Sequence, residues 1–274
     1  MRERRHTCGT SSDRIEKAPK IVVDCALQPD TGEKCGLDPW APLGAALLAY
    51  HTGRNDAVLR IDSDVFDSEN VAVRLYYRPD EDPLPDLDRR ALDRCTGRVL
   101  DAGAGAGRHA LDLQCRGLEV TALDVSADAV RVMQDRGISD VRQGDIYTSD
   151  LGTYDTILLL MNGIGLAGGP EGLNRLLGRF RQLLRSGGRV IFDAAGLDAA
   201  VHKDEFEEMT DMAIGRPQLG EVFFRLTFDD LEGSWYPWLF PTSTQLAEAA
   251  RTAGFEFTII GRGARGAFLV ELTR

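Results

Sequence analysis

VLDAGAGAGR, residues 99–108, decides the fold. An apolar pair, Val99 and Leu100, leads into an acid, Asp101. Ala102 and then Gly103, Gly105 and Gly107 follow, and the pattern from Arg108 to Arg116 reads as a helix. This is strand, glycine turn, helix. The glycines let the chain turn tightly and let a ligand approach its backbone, and the helix start presents unpaired N–H groups. A lone turn of this kind is weak evidence, because a dinucleotide site begins the same way.

Working outward, the same alternation repeats. Residues 119–124 read as a strand and 127–136 as a helix closed by Gly137. Residues 141–144 form a weaker strand. TILLLM, residues 156–161, is a continuous apolar run suited to the buried centre of a parallel sheet. Residues 172–184 place Leu173, Leu176, Leu177, Phe180 and Leu184 on one helix face, and Ser186-Gly187-Gly188 turns into a strand over 189–193. Alternating strands and helices imply an α/β fold: a Rossmann-like, doubly wound, mostly parallel sheet with helices on both faces. Beyond residue 196 the alternation breaks. Residues 199–214 are a charged excursion, 222–228 a strand, and 243–253 a helix ended by Gly254. Residues 255–260 and 267–272 form an antiparallel edge pair across a short Gly-rich link.

Upstream, residues 37–96 read as an N-terminal helical and extended lid or cap. A helix spans 38–50, with Asp38 as its cap and Pro39 in its first turn. Residues 57–78 are a hairpin or an extended lead-in, and 87–95 a helix stopped by Gly97. Residues 1–36 mix Gly, Ser, Thr, Pro and charge and read as a poorly ordered tail. The division is therefore 1–36, 37–96 and a ligand-binding domain over 97–274.

Three acids raise the specificity of the glycine turn. Asp101 would repel a pyrophosphate yet suits a ligand with an ammonium and a sulfonium. Asp124 closes the next strand, at the spacing of an acid that holds two ribose hydroxyls. Asp145, followed by Ile146, closes the strand after that. There an acid can accept from an adenine amino group while Val125 and Ile146 pack on the ring. Any one Asp is ordinary loop chemistry. Three at successive strand ends, on the side where open α/β sheets bind ligands, point to a site.

Residues 97–198 resemble the core of class I S-adenosylmethionine-dependent methyltransferases. VLDAGAGAGRHAL resembles the family's first motif, VTALDVS its second, GDI its third, YDTILLLMNGIG its fourth and LLRSGGRVIF the turn before the fifth strand. The resemblance implies S-adenosyl-L-methionine as cofactor. Asp101, Ala102, Gly103, Gly105 and Gly107 would lie at its methionine end, Asp124 at the ribose, and Val125, Asp145 and Ile146 at the adenine. Met161 and Asn162 would stand next to the reactive methyl group. Tyr76, Tyr77 and Arg78 precede the first motif, where many relatives close a segment over the cofactor. Asn162 is followed by Gly-Ile-Gly, so the Asn-Pro-Pro-aromatic signature of enzymes methylating nucleobase or glutamine amino groups is absent.

The implied reaction moves a methyl group in line to an O, N or C atom of a small molecule or peptide. Alternatives are a noncatalytic binding protein on this fold and a nicotinamide-dependent oxidoreductase, the latter opposed by Asp101 and Asp145. No catalytic base is legible among the imidazoles His51, His109 and His202, and His109 reads as packed or cofactor-adjacent. Trp235 and Trp238 lie in GSWYPWLF, residues 233–240, and read as a substrate wall or as ordinary packing. The helix over 38–50, carrying Trp40, suits a lid or a homodimer contact.

The net charge of −11 disfavours nonspecific nucleic-acid binding, and there is no nucleic-acid module. Five irregularly spaced cysteines, without Cys-x-x-Cys, fit reduced thiols in a cytoplasm and no metal site. No run is long and apolar enough for a membrane span.

Overall fold

The alternation over residues 98–194 builds the central layer of the molecule. The structure is a computed structural model and describes residues 38–79, 82–196 and 220–274. All of these fall in one compact unit, Glu33–Arg274. The tail over 1–36, the excursion over 199–214 and His202 lie outside the described residues. The main sheet runs β5 (Asp140–Gln143), β4 (Glu119–Asp124), β3 (Arg98–Ala102), β6 (Tyr154–Leu159), β7 (Leu184–Ala194), β12 (Phe268–Thr273), β11 (Glu256–Arg262). Strands β5, β4, β3, β6 and β7 are parallel. β12 pairs antiparallel with both β7 and β11, which is the edge pair expected from the sequence.

The continuous apolar run explains why β6 is central. Ile157 and Leu159 pack into the cluster of α6 (Pro170–Leu183) and α7 (Ser243–Thr252), with Leu176, Phe180, Val190, Phe192 and Leu246. Leu158 and Leu160 point the other way, into the cluster of α3 (Asp86–Arg94) and α4 (Arg108–Cys115), with Leu92, Val99, Leu113 and Ile191. A strand buried on both faces needs no polar alternation. Helix α5 (Ala127–Asp135) starts at Ser126, whose hydroxyl accepts the Ala129 N–H. Helix α7 starts with a reciprocal Thr242–Gln245 cap.

A second sheet joins chain segments far apart in sequence. β1 (Val58–Ser63) and β2 (Glu69–Ala72) form the hairpin anticipated within 57–78. β8 (Glu221–Phe228) pairs with β1, and β9 (Leu231–Glu232) and β10 (Tyr236–Leu239) pair with β8, all antiparallel. Period two sorts the residues of this sheet. Leu59, Leu226 and Phe228 join Leu47 and Tyr50 of α1 (Ala41–His51) and Val132 of α5 in one core. On the opposite face Arg60, Asp62, Arg225 and Glu232 form a line of ion pairs.

Two local readings change. Asp38 does not cap α1; its carboxylate accepts the Trp40 N–H two residues on, closing the preceding turn. Trp40 takes the N-cap position and Pro42 the first turn. The alternation read through Arg78 stops at Ala72, and Arg74–Tyr77 form α2, a single helical turn. No helix among the described residues is long and apolar enough to cross a membrane.

Candidate functional site

Because β3, β4 and β5 are parallel neighbours, Asp101, Asp124 and Asp145 reach the same edge of the sheet, at or just beyond the strand ends. The glycine turn folds over that edge. The N–H groups of Gly103 and Ala104 donate to Leu123 O. Gly105 N–H donates to Asp124 Oδ2 at 2.8 Å, and Ser126 N–H to Asp124 Oδ1 at 2.9 Å. The Asp124 carboxylate is thus held between two loops, with burial pushing its pKa up and these backbone donors opposing that. Gly144 N–H donates to Asp124 O, and Gln143 Nε2 to Val125 O, so the ends of β4 and β5 are joined. Asp145 Oδ1 accepts the Tyr147 N–H at 2.6 Å.

Gly103 and Gly105 have φ of +75° and +58°, and nothing stands within 4 Å of where a side chain would begin. They make an open cradle. Gly107 does something else: a Cβ there would meet Ile138 Cδ1 at 2.2 Å, so its glycine serves packing against the end of α5. Ala102 and Ile146 are buried in the core of the α6 face.

Asp101 is 2% exposed, and its Oδ2 has no hydrogen-bond partner among the described residues. Burial pushes its pKa up to about 6, against the opposing influence of His109 and of the Ala110 backbone N–H. His109 and Arg108, both in the first turn of α4, are buried as well. Both bind Asp88 of α3: Oδ2 accepts from Arg108 Nη2 at 2.9 Å and lies 2.8 Å from His109 Nε2. Burial pushes Asp88 up, but the His109 bond and the His109 and Arg108 charges together hold it below the usual carboxylate range.

At the ends of β6 and β7 the backbone is unusual. Met161 and Asn162, neither of them glycine, have φ of +62° and +55°, a conformation that non-glycine residues adopt at local expense in energy. Met161 is 40% exposed, and Arg108 Nη1 reaches its sulfur at 3.6 Å. Asn162 N–H donates to Asp193 Oδ1 at 2.9 Å, while Asn162 Nδ2 is buried with no partner among the described residues. Burial pushes Asp193 up to about 6. Neither Asp193 nor Asp88 emerges from the sequence as a site residue.

The segment before the first motif lies beside the glycine turn. Arg136, at the end of α5, donates to Tyr77 O and Ala106 O through Nη1 and to Arg78 O through Nη2. The Tyr77 ring is held by Arg136, Tyr50 and His51, the last at 2.8 Å from its hydroxyl. Arg78 Nε donates to Asp82 O. Tyr76 joins the third core, where burial pushes it up to about 12.

The aromatic residues in and just before β10 separate by face. Tyr236 and Trp238 point toward the main sheet. Trp40 meets Tyr236 at 4.5 Å and Trp238 at 5.9 Å between ring centres. The Trp238 indole lies against Gly165, in the 3₁₀ turn Gly163–Ala167 that directly follows Asn162. Trp235 points the other way, beneath the Arg225 guanidinium at 5.0 Å, and is not part of this cluster.

A family model described as "Methyltransferase domain" matches residues 99–188. No curated protein matches the sequence. Among solved structures, a SAM-dependent methyltransferase from Bacteroides fragilis in complex with S-adenosyl-L-homocysteine is similar at 34% identity. The match covers 87% of this chain and 97% of that one, with a TM-score of 0.76. The CcbJ methyltransferase from Streptomyces caelestis matches over 73% of this chain and 94% of its own, at 17% identity and a TM-score of 0.56. A SAM-dependent methyltransferase from Methanosarcina mazei matches over 70% and 98%, at 16% and 0.54. The last two likenesses concern the fold.

Proposed function

The chain belongs to the class I S-adenosylmethionine-dependent methyltransferases, and we propose that it transfers a methyl group by in-line displacement to an O, N or C atom of a small molecule or peptide in the cytoplasm. S-Adenosylmethionine is its cofactor.

The rim offers acceptors and openings that suit this cofactor. Asp101 Oδ2 is a buried carboxylate oxygen lacking a donor among the described residues, a state that buried polar groups rarely tolerate, and an ammonium would supply one. The cradle at Gly103 and Gly105 would be filled by any side chain. Asp124 accepts the Gly105 and Ser126 N–H groups on its two oxygens, with the Val125 N–H acting on it as well, and a carboxylate can accept further hydroxyl bonds beside these. On this reading Asp101 and the turn from Ala102 to Gly107 hold the methionine end, with Gly107 shaping the turn from behind. Asp124 holds the ribose; Val125, Asp145 and Ile146 surround the adenine. Tyr77 and Arg78 close the side beside the turn. Bound there, the cofactor supplies a methyl group on a sulfonium, already a good leaving group.

The chain's own task is then to align a nucleophile and keep water out. Met161 and Asn162 form the floor. Trp238, with Trp40, Tyr236 and Tyr76, forms an apolar wall beside them. The contact of Trp238 with Gly165 carries this reading, since it joins the wall to the loop bearing Met161 and Asn162. Helix α1 links the wall back to the donor side: Trp40 stands at its start, and Gly44 touches Ser126, two residues from Asp124. The segment over 37–96 thus serves as part of a cap. Unpaired Cys95 and Cys115 fit a reducing compartment.

The test is incubation with S-adenosylmethionine labelled in its methyl group and a fractionated small-molecule and peptide extract, read by mass. A labelled product one methyl group heavier than its precursor supports the proposal. Tight cofactor binding with no labelled product in either fraction contradicts it.

A further inference from the structure

The buried charges behind the glycine turn form a set larger than the motif requires. On the α3/α4 side of the sheet lie three carboxylates, Asp88, Asp101 and Asp193, with one guanidinium, Arg108, and one imidazole, His109. Asp88 is 9% exposed, Arg108 9% and His109 4%. Arg108 feels all three carboxylates together with Arg78. Its Nη2 is committed to Asp88, its Nη1 to Leu75 O at 3.2 Å and the Met161 sulfur at 3.6 Å, and its Nε is buried without a partner among the described residues. Asp101, whose charge acts on Arg108, keeps one oxygen without a partner among the described residues.

Released inside this pocket, a guanidinium would seek that free carboxylate oxygen, because burial strengthens such attraction. Asp88 prevents this by holding Arg108 and His109 on the α3 side. We infer that Asp88 is a positioning residue for cofactor binding: it sequesters Arg108 so that Asp101 stays free for the cofactor's ammonium. The inference rests on the Asp101 role proposed above. It assigns a function to a residue outside the methyltransferase-domain match, which begins at residue 99.

The cluster also fixes the pH behaviour. Asp101 feels His109 and Arg108 from α4 and Asp124 from β4, and acts on Cys95 at the end of α3; Asp88 and Asp193 act on Arg108. Asp101 must be ionised to hold an ammonium. With its pKa at about 6, affinity for the cofactor falls as pH drops through that value.

The experiment is calorimetry from pH 5 to 8 with two ligands: S-adenosylhomocysteine, which carries the ammonium, and methylthioadenosine, which lacks the amino-acid end. Asp88→Asn is expected to weaken S-adenosylhomocysteine about tenfold, the scale of one charge-assisted hydrogen bond. Methylthioadenosine should be unchanged. The freed Arg108 should also move the pH break downward. Arg108→Gln removes the competing cation instead, and should move the break upward; this arm stands if Asp88→Asn does not fold. Equal loss of both ligands in a folded Asp88→Asn protein, or a pH break that neither variant moves, overturns the inference. Asp101→Asn separates the two levels. If it does not selectively weaken S-adenosylhomocysteine, the Asp101 role itself fails. If it does while Asp88→Asn does not, only the role of Asp88 fails.

Discussion

Trp238 lies so close to Gly165 that a Cβ on residue 165 would stand 2.1 Å from the indole Nε1. The 3₁₀ turn after Asn162 and the wall formed by β10 are therefore fitted to one another, and residue 165 can only be glycine while the indole keeps its place. Gly165→Val should expel the indole. The expected outcome is a cofactor affinity within about twofold of wild type, since the donor rim is untouched, and a loss of methyl transfer of tenfold or more, on the scale of a misplaced acceptor. Calorimetry with S-adenosylhomocysteine and a labelled-methyl assay read the two effects separately.

The two tryptophans of residues 235 and 238 should behave differently. Trp238→Ala should reduce methyl transfer and leave cofactor affinity nearly intact. Trp235→Ala should leave both, because its ring lies on the far face of the sheet against Arg225. Equal loss of transfer in the two variants would refute the division by face.

Asp101 should weaken the ligand-free protein. Its pKa of about 6 lies above the ordinary carboxylate value of 3.8, so the folded chain binds this proton more tightly than the unfolded one. Stability contributed by the protonated group is fully present below about pH 4 and falls as pH rises through about 6. A shift of this size corresponds to on the order of 1–3 kcal/mol. Asp101→Asn, nearly isosteric and uncharged, should therefore raise the melting temperature of the ligand-free protein at pH 8 while lowering affinity for S-adenosylhomocysteine. A lower melting temperature at pH 8 would show that the buried charge is not a burden.

Glu271 of β12 has the opposite sign. Burial pushes it up, but Arg94 and Arg189 together hold it below the ordinary glutamate value of 4.5. Arg94 Nη2 lies 2.7 Å from Oε1 and Arg189 Nη1 3.2 Å from Oε2. Its contribution is present above that ordinary value and is lost as pH falls through the lower folded one. Glu271→Gln should cost about 1–3 kcal/mol at pH 7, and the gap to wild type should close in acid. Denaturant melts at several pH values measure it.

Much of this architecture was legible in the sequence, because each strand and helix of the parallel sheet is a local signal bounded by its own glycine or cap. The run over 156–161 marked the sheet's centre, and Asp101, Asp124 and Asp145 marked one edge. The second sheet was not legible: pairing Ile61 with Leu226 joins segments far apart, and neither segment encodes its partner. Trp235 and Trp238 look like a pair in GSWYPWLF, yet three positions along a strand is an odd step and sends them to opposite faces. Asp88 was hidden among the charges of DLDRRALDR, where the sequence reads only as a helix over 87–95. The signal that could have found it is its spacing: Asp88, Ala91, Leu92 and Cys95 form one buried stripe, and an acid in such a stripe calls for a partner. Asp193 merely closes a strand, and only the fold brings it to Asn162.

The most direct measurement is a crystal structure of the protein with S-adenosylhomocysteine. The ligand's ammonium should lie within hydrogen-bond distance of Asp101 Oδ2 and both ribose hydroxyls on Asp124, with the sulfur facing Met161 and Asn162. An ammonium held elsewhere, with Asp101 Oδ2 turned instead to Arg108, would contradict it.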